Sequence, residues 1–211
     1  PQDIVAPQPV ESEVIIETRG LSRIYPGVTA LDNVNYRVYR NKVNVLIGEN
    51  GAGKSTMMKM LAGVETPSSG QIILDGEAVT LNSTHQAEKL GISIIFQELN
   101  LFPNMNVMDN IFMANEFFQK GRINEKYQYA LAKSLLERLE LDVDPYTQLG
   151  ELGIGHQQLV EIARALSKDT RVLIMDEPTS ALSQSEVKVL FKVIEQLKRR
   201  EIGRASCRER V

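Results

Sequence analysis

Gly48-Glu49-Asn50-Gly51-Ala52-Gly53-Lys54-Ser55-Thr56 is the stretch on which the fold turns. It satisfies the phosphate-loop spacing G-x-x-x-x-G-K-[ST], which carries weight only between a strand and a helix. That context is present. The apolar run Val43-Asn44-Val45-Leu46-Ile47 predicts a strand, and Ser55 to Leu61 predicts a helix closed by Gly63. Gly48, Gly51 and Gly53 let backbone N–H groups turn inward around a phosphate, where a side chain would collide. The helix beginning near Lys54 points its positive end at the same anion. Lys54 is placed to reach the β- and γ-phosphates, and the Ser55 hydroxyl to ligate Mg²⁺. Gly48, Asn50, Gly51, Ala52, Gly53, Lys54, Ser55 and Thr56 are therefore the candidate phosphate-binding set of a nucleoside triphosphate site.

Outward from the loop, the totals narrow the class. The 211 residues suffice for one large domain or two small ones. A net charge of −3 and a pI near 5.6 argue against a nucleic-acid surface. No apolar run approaches the roughly 18–20 residues that span a bilayer. No signal-peptide pattern opens the chain, so it reads as cytoplasmic. The single cysteine, Cys207, excludes an internal disulfide. Residues 1–11, with three prolines, read as a mobile leader.

On the N-terminal side, Val14–Ile16 and Leu31–Tyr39 predict strands, with Tyr25 just ahead of a Pro26-Gly27 turn. Beyond the loop, Gln71–Leu74 predicts another strand and Asp75-Gly76 a tight turn. Together these make a small antiparallel sheet beside the core. Taken alone, Tyr25 reads first as a packing aromatic; near a nucleotide it could also stack on a base. Ile92–Phe96 predicts a buried core strand ending at Gln97. A strand-end amide can reach a metal or a water, although Gln97 by itself reads as a surface residue.

From Leu99 to about Asp144 helical periodicity takes over, most clearly over Tyr129–Leu141. Leu101, Phe102, Met105, Val107, Met108, Ile111 and Phe112 read mostly as local core, or as a groove for a partner's helix. A Gly-rich turn, Gly150 to His156, precedes a predicted helix over Gln157–Leu166 and is a second potential anion site. Arg171–Met175 predicts an apolar strand ending in Asp176-Glu177. Asp176 can hold Mg²⁺ and Glu177 can polarise an attacking water. Ser183-Gln184-Ser185-Glu186 is a capping box opening a last helix, with Val187, Leu190, Ile194 and Leu197 on one face.

Over roughly Val14 to Arg200 the chain resembles the ATP-binding subunits of ABC transporters. The phosphate loop, Gln97, the Leu152–Gln157 segment and the Leu173–Ser180 stretch stand in the family's order and spacing. The loop and Val160-Glu161-Ile162-Ala163-Arg164-Ala165-Leu166 look most like the N-terminal half of tandem bacterial carbohydrate-import ATPases. The resemblance implies an α/β phosphate-loop (RecA-like) ATPase core, residues 12–97 and 166–200, with an antiparallel β-subdomain and an inserted helical subdomain, residues 98–165. It implies ATP and Mg²⁺ as ligands, Tyr25 on adenine, and Ser55, Gln97 and Asp176 around the metal. Lys54, Gln97 and Glu177 take the catalytic roles. Leu152, Gly153, Gly155 and His156 form the signature loop that closes over a partner domain's ATP, and Ser180 to Ser183 cross the dimer interface.

The implied partners are a second ABC ATPase domain, membrane permease subunits and, indirectly, a periplasmic sugar-binding protein, with no nucleic acid. The implied location is peripheral, on the cytoplasmic face of a bacterial inner membrane. Two departures stand out. The family's Leu-Ser-Gly-Gly-Gln is here Leu152-Gly153-Ile154-Gly155-His156, without the serine hydroxyl, so a composite site using this turn is expected to be the weaker one. The family's next core strand, ending in a histidine, is not found; His85 and His156 are the only histidines. Residues 201–211 instead resemble the translation of a sequencing-library adapter and read as a non-native tail on a truncated first domain. The other readings are a nucleotide-binding fragment without turnover and a soluble non-transport ABC ATPase. A GTPase is disfavoured, because Asn41-Lys42-Val43-Asn44 fails the base-reading motif at its fourth place.

Overall fold

A computed structural model describes residues 14–49, 51–119, 121–176 and 182–204. They fall into two compact units that divide between Asn82 and Ser83. In the first, β1 (Val14–Tyr25) and β2 (Val28–Tyr39) form a long hairpin. After α1 (Lys54–Leu61), β3 (Ser69–Leu74) and β4 (Glu77–Val79) complete an antiparallel sheet in the order β2-β1-β3-β4. The alternation read in the sequence is the cause. On β2, Val34, Tyr36 and Val38 are partly covered, whereas Asn35 and Arg37 face water. Asp75-Gly76 turns β3 into β4, both with positive φ, as a two-residue hairpin turn requires. Met57, Met60 and Leu61 of α1 are buried with Ile16, Leu21 and Ile72 of the sheet.

The predicted strand Val43–Ile47 is not one. It is irregular, and Val43, Val45 and Ile47 are exposed, Ile47 to 87%. A run with apolar side chains on both faces holds as a strand only between neighbours in a sheet covered on both sides. Among the described residues no strand pairs with it. Asn44 turns back instead: its side chain accepts the Tyr39 N–H (3.1 Å) and donates to the Tyr39 carbonyl (3.0 Å).

The second unit opens with α2 (Thr84–Lys89), whose N-cap Ser83 accepts the Gln86 N–H at 3.2 Å. β5 (Ile92–Ile95) follows, then a long crossover. The crossover carries α3 (Val107–Phe112), the small hairpin β6 (Phe118–Gln119) and β7 (Arg122–Ile123), α4 (Glu125–Arg138) and α5 (Ile154–Ser167). β8 (Val172–Met175) returns parallel to β5, with Ile92 opposite Val172 and Ile95 opposite Met175. The helical crossover is what a parallel pair requires.

The last element is α6 (Gln184–Arg204), which runs four residues past the expected end at Arg200. Its capping box forms as read: the Ser183 N–H donates to the Glu186 carboxylate (2.7 Å) and the Glu186 N–H to the Ser183 hydroxyl (3.4 Å). Val107, Met108, Ile111 and Phe112 are buried in one core with Leu135, Leu136, Leu159, Ile162 and Leu190, so most of that dense apolar set is local core. Leu101 packs partly buried against that core, Met105 is half-buried and Phe102 is half exposed. The small hairpin was not visible in the sequence; neither of its strands exceeds two residues.

Candidate nucleotide site

In the first unit the loop enters α1 through Gly53, with φ +84°, and Gly51 has φ +83°. A Cβ on Gly53 would lie 2.4 Å from the Ala30 carbonyl oxygen and 2.8 Å from a Leu31 methyl. The site therefore demands glycine twice, by conformation and by space. Gly48 is not in the left-handed region; a Cβ there would meet the Ala52 methyl at 3.3 Å. No side chain caps α1 and no acidic residue stands in its first turn. A helix end of this kind, with its first N–H groups and positive dipole end, suits an anion. Lys54 folds back over the loop, its Nζ donating to the Gly48 carbonyl (2.7 Å) and the Glu49 carbonyl (2.8 Å). An ammonium has three donors, so one remains for a phosphate oxygen. Ser55 is exposed and Thr56 half-buried beside it.

The contact of Gly53 with Ala30 and Leu31 sets the loop against β2 near the hairpin tip where Tyr25 pairs with Val28. Tyr25 closes that hairpin opposite Val28, two positions from Ala30. The Tyr25 hydroxyl donates to the Glu65 carboxylate, and the Arg23 guanidinium lies over the ring, 4.8 Å from its centroid. Arg23 also pairs with Glu65 at 3.4 Å. A base stacking on Tyr25 would have to take the face opposite Arg23.

In the second unit, Gln97 and Asp176 leave the same end of two neighbouring parallel strands. The ladder continues one step past β8, where the Asp176 N–H donates to the Ile95 carbonyl at 3.0 Å. This sets Asp176 opposite Phe96, with Gln97 next along. Gln97 is exposed and Asp176 half-buried. The carboxyl ends of parallel strands are where α/β sheets place ligands. Glu177, Asn50 and Ser180 lie outside the described residues.

α5 begins at Ile154, three residues earlier than the predicted Gln157, with Gly153 as an N-cap that supplies no side-chain bond. The Gln157 amide donates to the Leu152 carbonyl at 2.9 Å and fixes the turn. A Cβ on Gly155 would lie 2.2 Å from a Glu186 carboxylate oxygen. His156 Nε2 stands 3.9 Å from the same carboxylate. Glu186 is held below the usual carboxylate range by the Ser183 hydroxyl, the Ser183 N–H and His156. The first turn of α5 therefore already faces an internal anion. Sequence reasoning gave Glu186 only its capping role; nothing local reports a contact across 31 positions.

Among the described residues, no three His, Cys, Asp or Glu side chains cluster as a metal-binding group. The hydroxyl of Ser55, the amide oxygen of Gln97 and the carboxylate of Asp176 are hard oxygen donors. Each, taken by itself, is the kind of ligand that Mg²⁺ accepts alongside phosphate oxygens and waters.

Residues 31–180 match the family model described as ABC transporter. The chain belongs to the ABC transporter family. The matched segment contains the phosphate loop, Gln97, the Leu152–His156 turn and Asp176; Tyr25 lies just ahead of it. A xylose import ATP-binding protein of Thermoanaerobacter pseudethanolicus is 49% identical over 190 residues, 89% of this chain and 38% of that protein. An L-arabinose transport ATP-binding protein of Geobacillus stearothermophilus is 47% identical over 194 residues, 91% of this chain and 38% of that protein. The chain thus spans less than two-fifths of these curated relatives. Among solved structures, the ADP conformation of an ABC transporter ATP-binding cassette superposes with a TM-score of 0.73 at 25% identity, covering 88% of this chain and 77% of that one. The antiparallel sheet and the β5–β8 pair with its helical crossover are therefore ABC architecture.

Proposed function

We propose that this chain is the ATP-binding part of an ABC importer's ATPase, hydrolysing ATP to drive uptake of a monosaccharide. The observation that carries the reading is the loop itself. Gly53 is excluded from any other residue by the Ala30 carbonyl, α1 is uncapped, and Lys54 is poised over Gly48 and Glu49. The sugar follows from the relatives, whose names assign them to xylose and L-arabinose transport.

On this reading Lys54 and the first N–H groups of α1 bind the β- and γ-phosphates, and Tyr25 stacks on adenine. Ser55, Gln97 and Asp176 would hold Mg²⁺, which supplies neutralisation of the phosphate charge. Glu177 accepts the proton of the water that attacks the γ-phosphorus, and ADP leaves as phosphate forms. The Leu152–His156 turn closes over ATP held by a second ABC ATPase domain. Gly153 brings no hydroxyl to that phosphate, a hydrogen bond worth roughly 1.5–3 kcal/mol, so that composite site is the weaker one. Permease subunits convert closure and reopening into transport, which places the chain peripherally on the cytoplasmic membrane face.

The test is calorimetric titration of Mg·ATP into the chain and into Lys54→Ala. A loss of at least about tenfold in affinity is expected, one phosphate-directed, charge-assisted bond worth roughly 1.5–3 kcal/mol being removed. Equal binding by the two proteins would reject the loop as the phosphate site. Tighter binding of GTP than of ATP would reject the adenine assignment.

A further inference from the structure

Between α1 and β3 the chain returns to the β1–β2 hairpin, and four successive residues of β1 fasten it there. The Ser68 N–H donates to the Ser22 carbonyl (2.8 Å), and the Ile24 N–H donates to the Ser68 hydroxyl (3.1 Å). Arg23 Nη1 donates to the Thr66 carbonyl at 2.6 Å. Tyr25 completes the set through its hydroxyl, which donates to the Glu65 carboxylate. Glu65 is in turn fastened to the helix: its N–H donates to the Lys59 carbonyl at 3.3 Å, which also accepts the Val64 N–H at 2.8 Å. Lys59 lies in the last turn of α1. One helix thus carries the phosphate loop at its start and a bonded path to the Tyr25 hydroxyl at its end.

A plain structural tie does not account for the arrangement. An arginine serving an ion pair alone would take the two-bond geometry that carboxylates favour. Arg23 stops at 3.4 Å from Glu65, and its Nε is buried with no hydrogen-bond partner among the described residues. The Glu65 oxygen nearest to it takes the Tyr25 hydroxyl instead, and the guanidinium lies over the ring, 4.8 Å from the centroid. That distance is within cation–π range. The ring so held is half-buried and stands outside the buried core, so packing is not what the fixed pose serves. With its proton given to Glu65, the hydroxyl has only lone pairs left. What the ring offers a ligand is therefore the face opposite Arg23.

We propose that Glu65 and Arg23 are positioning residues for base recognition, fixing the Tyr25 ring with one face covered and leaving the opposite face to stack on a purine. The role rests on the nucleotide reading above: it holds the base site and the phosphate site at one spacing. Lys59 stands five residues from Lys54, about 7.5 Å along the axis of α1, and Glu65 ties the ring to that point. Base and phosphates of a nucleotide are likewise joined by a single ribose. A ring already set at the right spacing binds without a side chain having to be ordered at that moment.

The experiment is calorimetric titration of the 211-residue chain with Mg·ATP and with Mg·tripolyphosphate, which carries phosphates and no base. The unaltered chain should bind ATP about five- to a hundredfold more tightly, the worth of one base stacked on an aromatic ring. In Arg23→Met and in Glu65→Ala that ratio should fall about three- to tenfold, the loss expected when the ligand must itself order one side chain. Tripolyphosphate binding should stay unchanged in both, which also reports that the loop is intact. Glu65→Gln keeps an oxygen for the hydroxyl and should restore most of the ratio. In a Tyr25→Phe background Glu65→Ala should lower it no further, since the hydroxyl through which Glu65 acts is gone. Equal losses for the two ligands would mark merely structural residues and overturn the proposal. So would a ratio that Arg23→Met and Glu65→Ala leave unchanged, or a further loss in the Tyr25→Phe background. Failure of the underlying reading looks different. If the unaltered chain binds tripolyphosphate as tightly as ATP, Tyr25 meets no base; if it binds neither, the loop is no phosphate site. The positioning role falls with either result.

Discussion

Replacing Glu161 with glutamine should flatten the pH dependence of the second unit's stability. Burial raises the Glu161 carboxyl from 4.5 to about 7. Between those values the folded chain holds a proton that the unfolded chain has released. Stability must therefore fall as pH rises from 4.5 toward 7 and level off above it. Integrating that difference gives a loss of about 2.5 kcal/mol between pH 5 and pH 8. Glutamine fills the same space and has no proton to exchange. The other titrating groups near α5, His156 and Glu186 among them, are common to both proteins and cancel in the comparison. Urea unfolding followed by far-UV circular dichroism reads the right unit, since α2 to α6 all lie there and only α1 lies in the first. The stability of the unaltered chain relative to Glu161→Gln should drop by that amount from pH 5 to pH 8. Parallel curves, or a relative gain with rising pH, would refute the reasoning, because a carboxyl titrating near its unfolded value cannot produce the slope.

Three further outcomes follow from single contacts. Gly53→Ala drives a methyl into the Ala30 carbonyl at a positive φ; it should cost about 1–3 kcal/mol locally and weaken Mg·ATP binding in the calorimetric titration. Asn110→Ala empties a fully buried position and leaves the Phe102 N–H without its partner, while the Phe102 carbonyl keeps the Met105 N–H at 3.1 Å; a loss of about 1–3 kcal/mol is expected, read as a lower urea midpoint. Gly153→Ser gives α5 the N-cap hydroxyl it lacks; helix stability should rise by only a few tenths of a kcal/mol, whereas ATP-induced closure onto a second ATPase domain should strengthen, and unchanged closure would count against the signature assignment.

Much of the molecule was legible because its rules are local. The phosphate loop, the Asp75-Gly76 turn, the capping box of α6 and the strands on either side of the helical crossover each depend on residues within one turn or one ladder step. Their conformational demands are met only by certain side chains, so the residues announce them. Glu161 and Asn110 left a fainter trace as polar residues inside apolar runs. Only the tertiary structure decided what surrounds them, as it decided the bond from Arg164 to the Asn100 carbonyl, which spans 64 positions that no local rule relates. The same holds for Glu186 against Gly155. Val43–Ile47 shows the converse: its composition asks for a buried strand, but a strand exists only where neighbours supply its hydrogen bonds, and pairing is a property of the whole sheet rather than of the segment. The sequence by itself determined the family, the phosphate-loop motif and the places of Gln97 and Asp176 at the ends of their strands, since these are set by spacing along the chain. The fold decided the bond from Arg164 to Asn100, the carboxylate at α5 and the fate of the unpaired run, since these are set by distance in space.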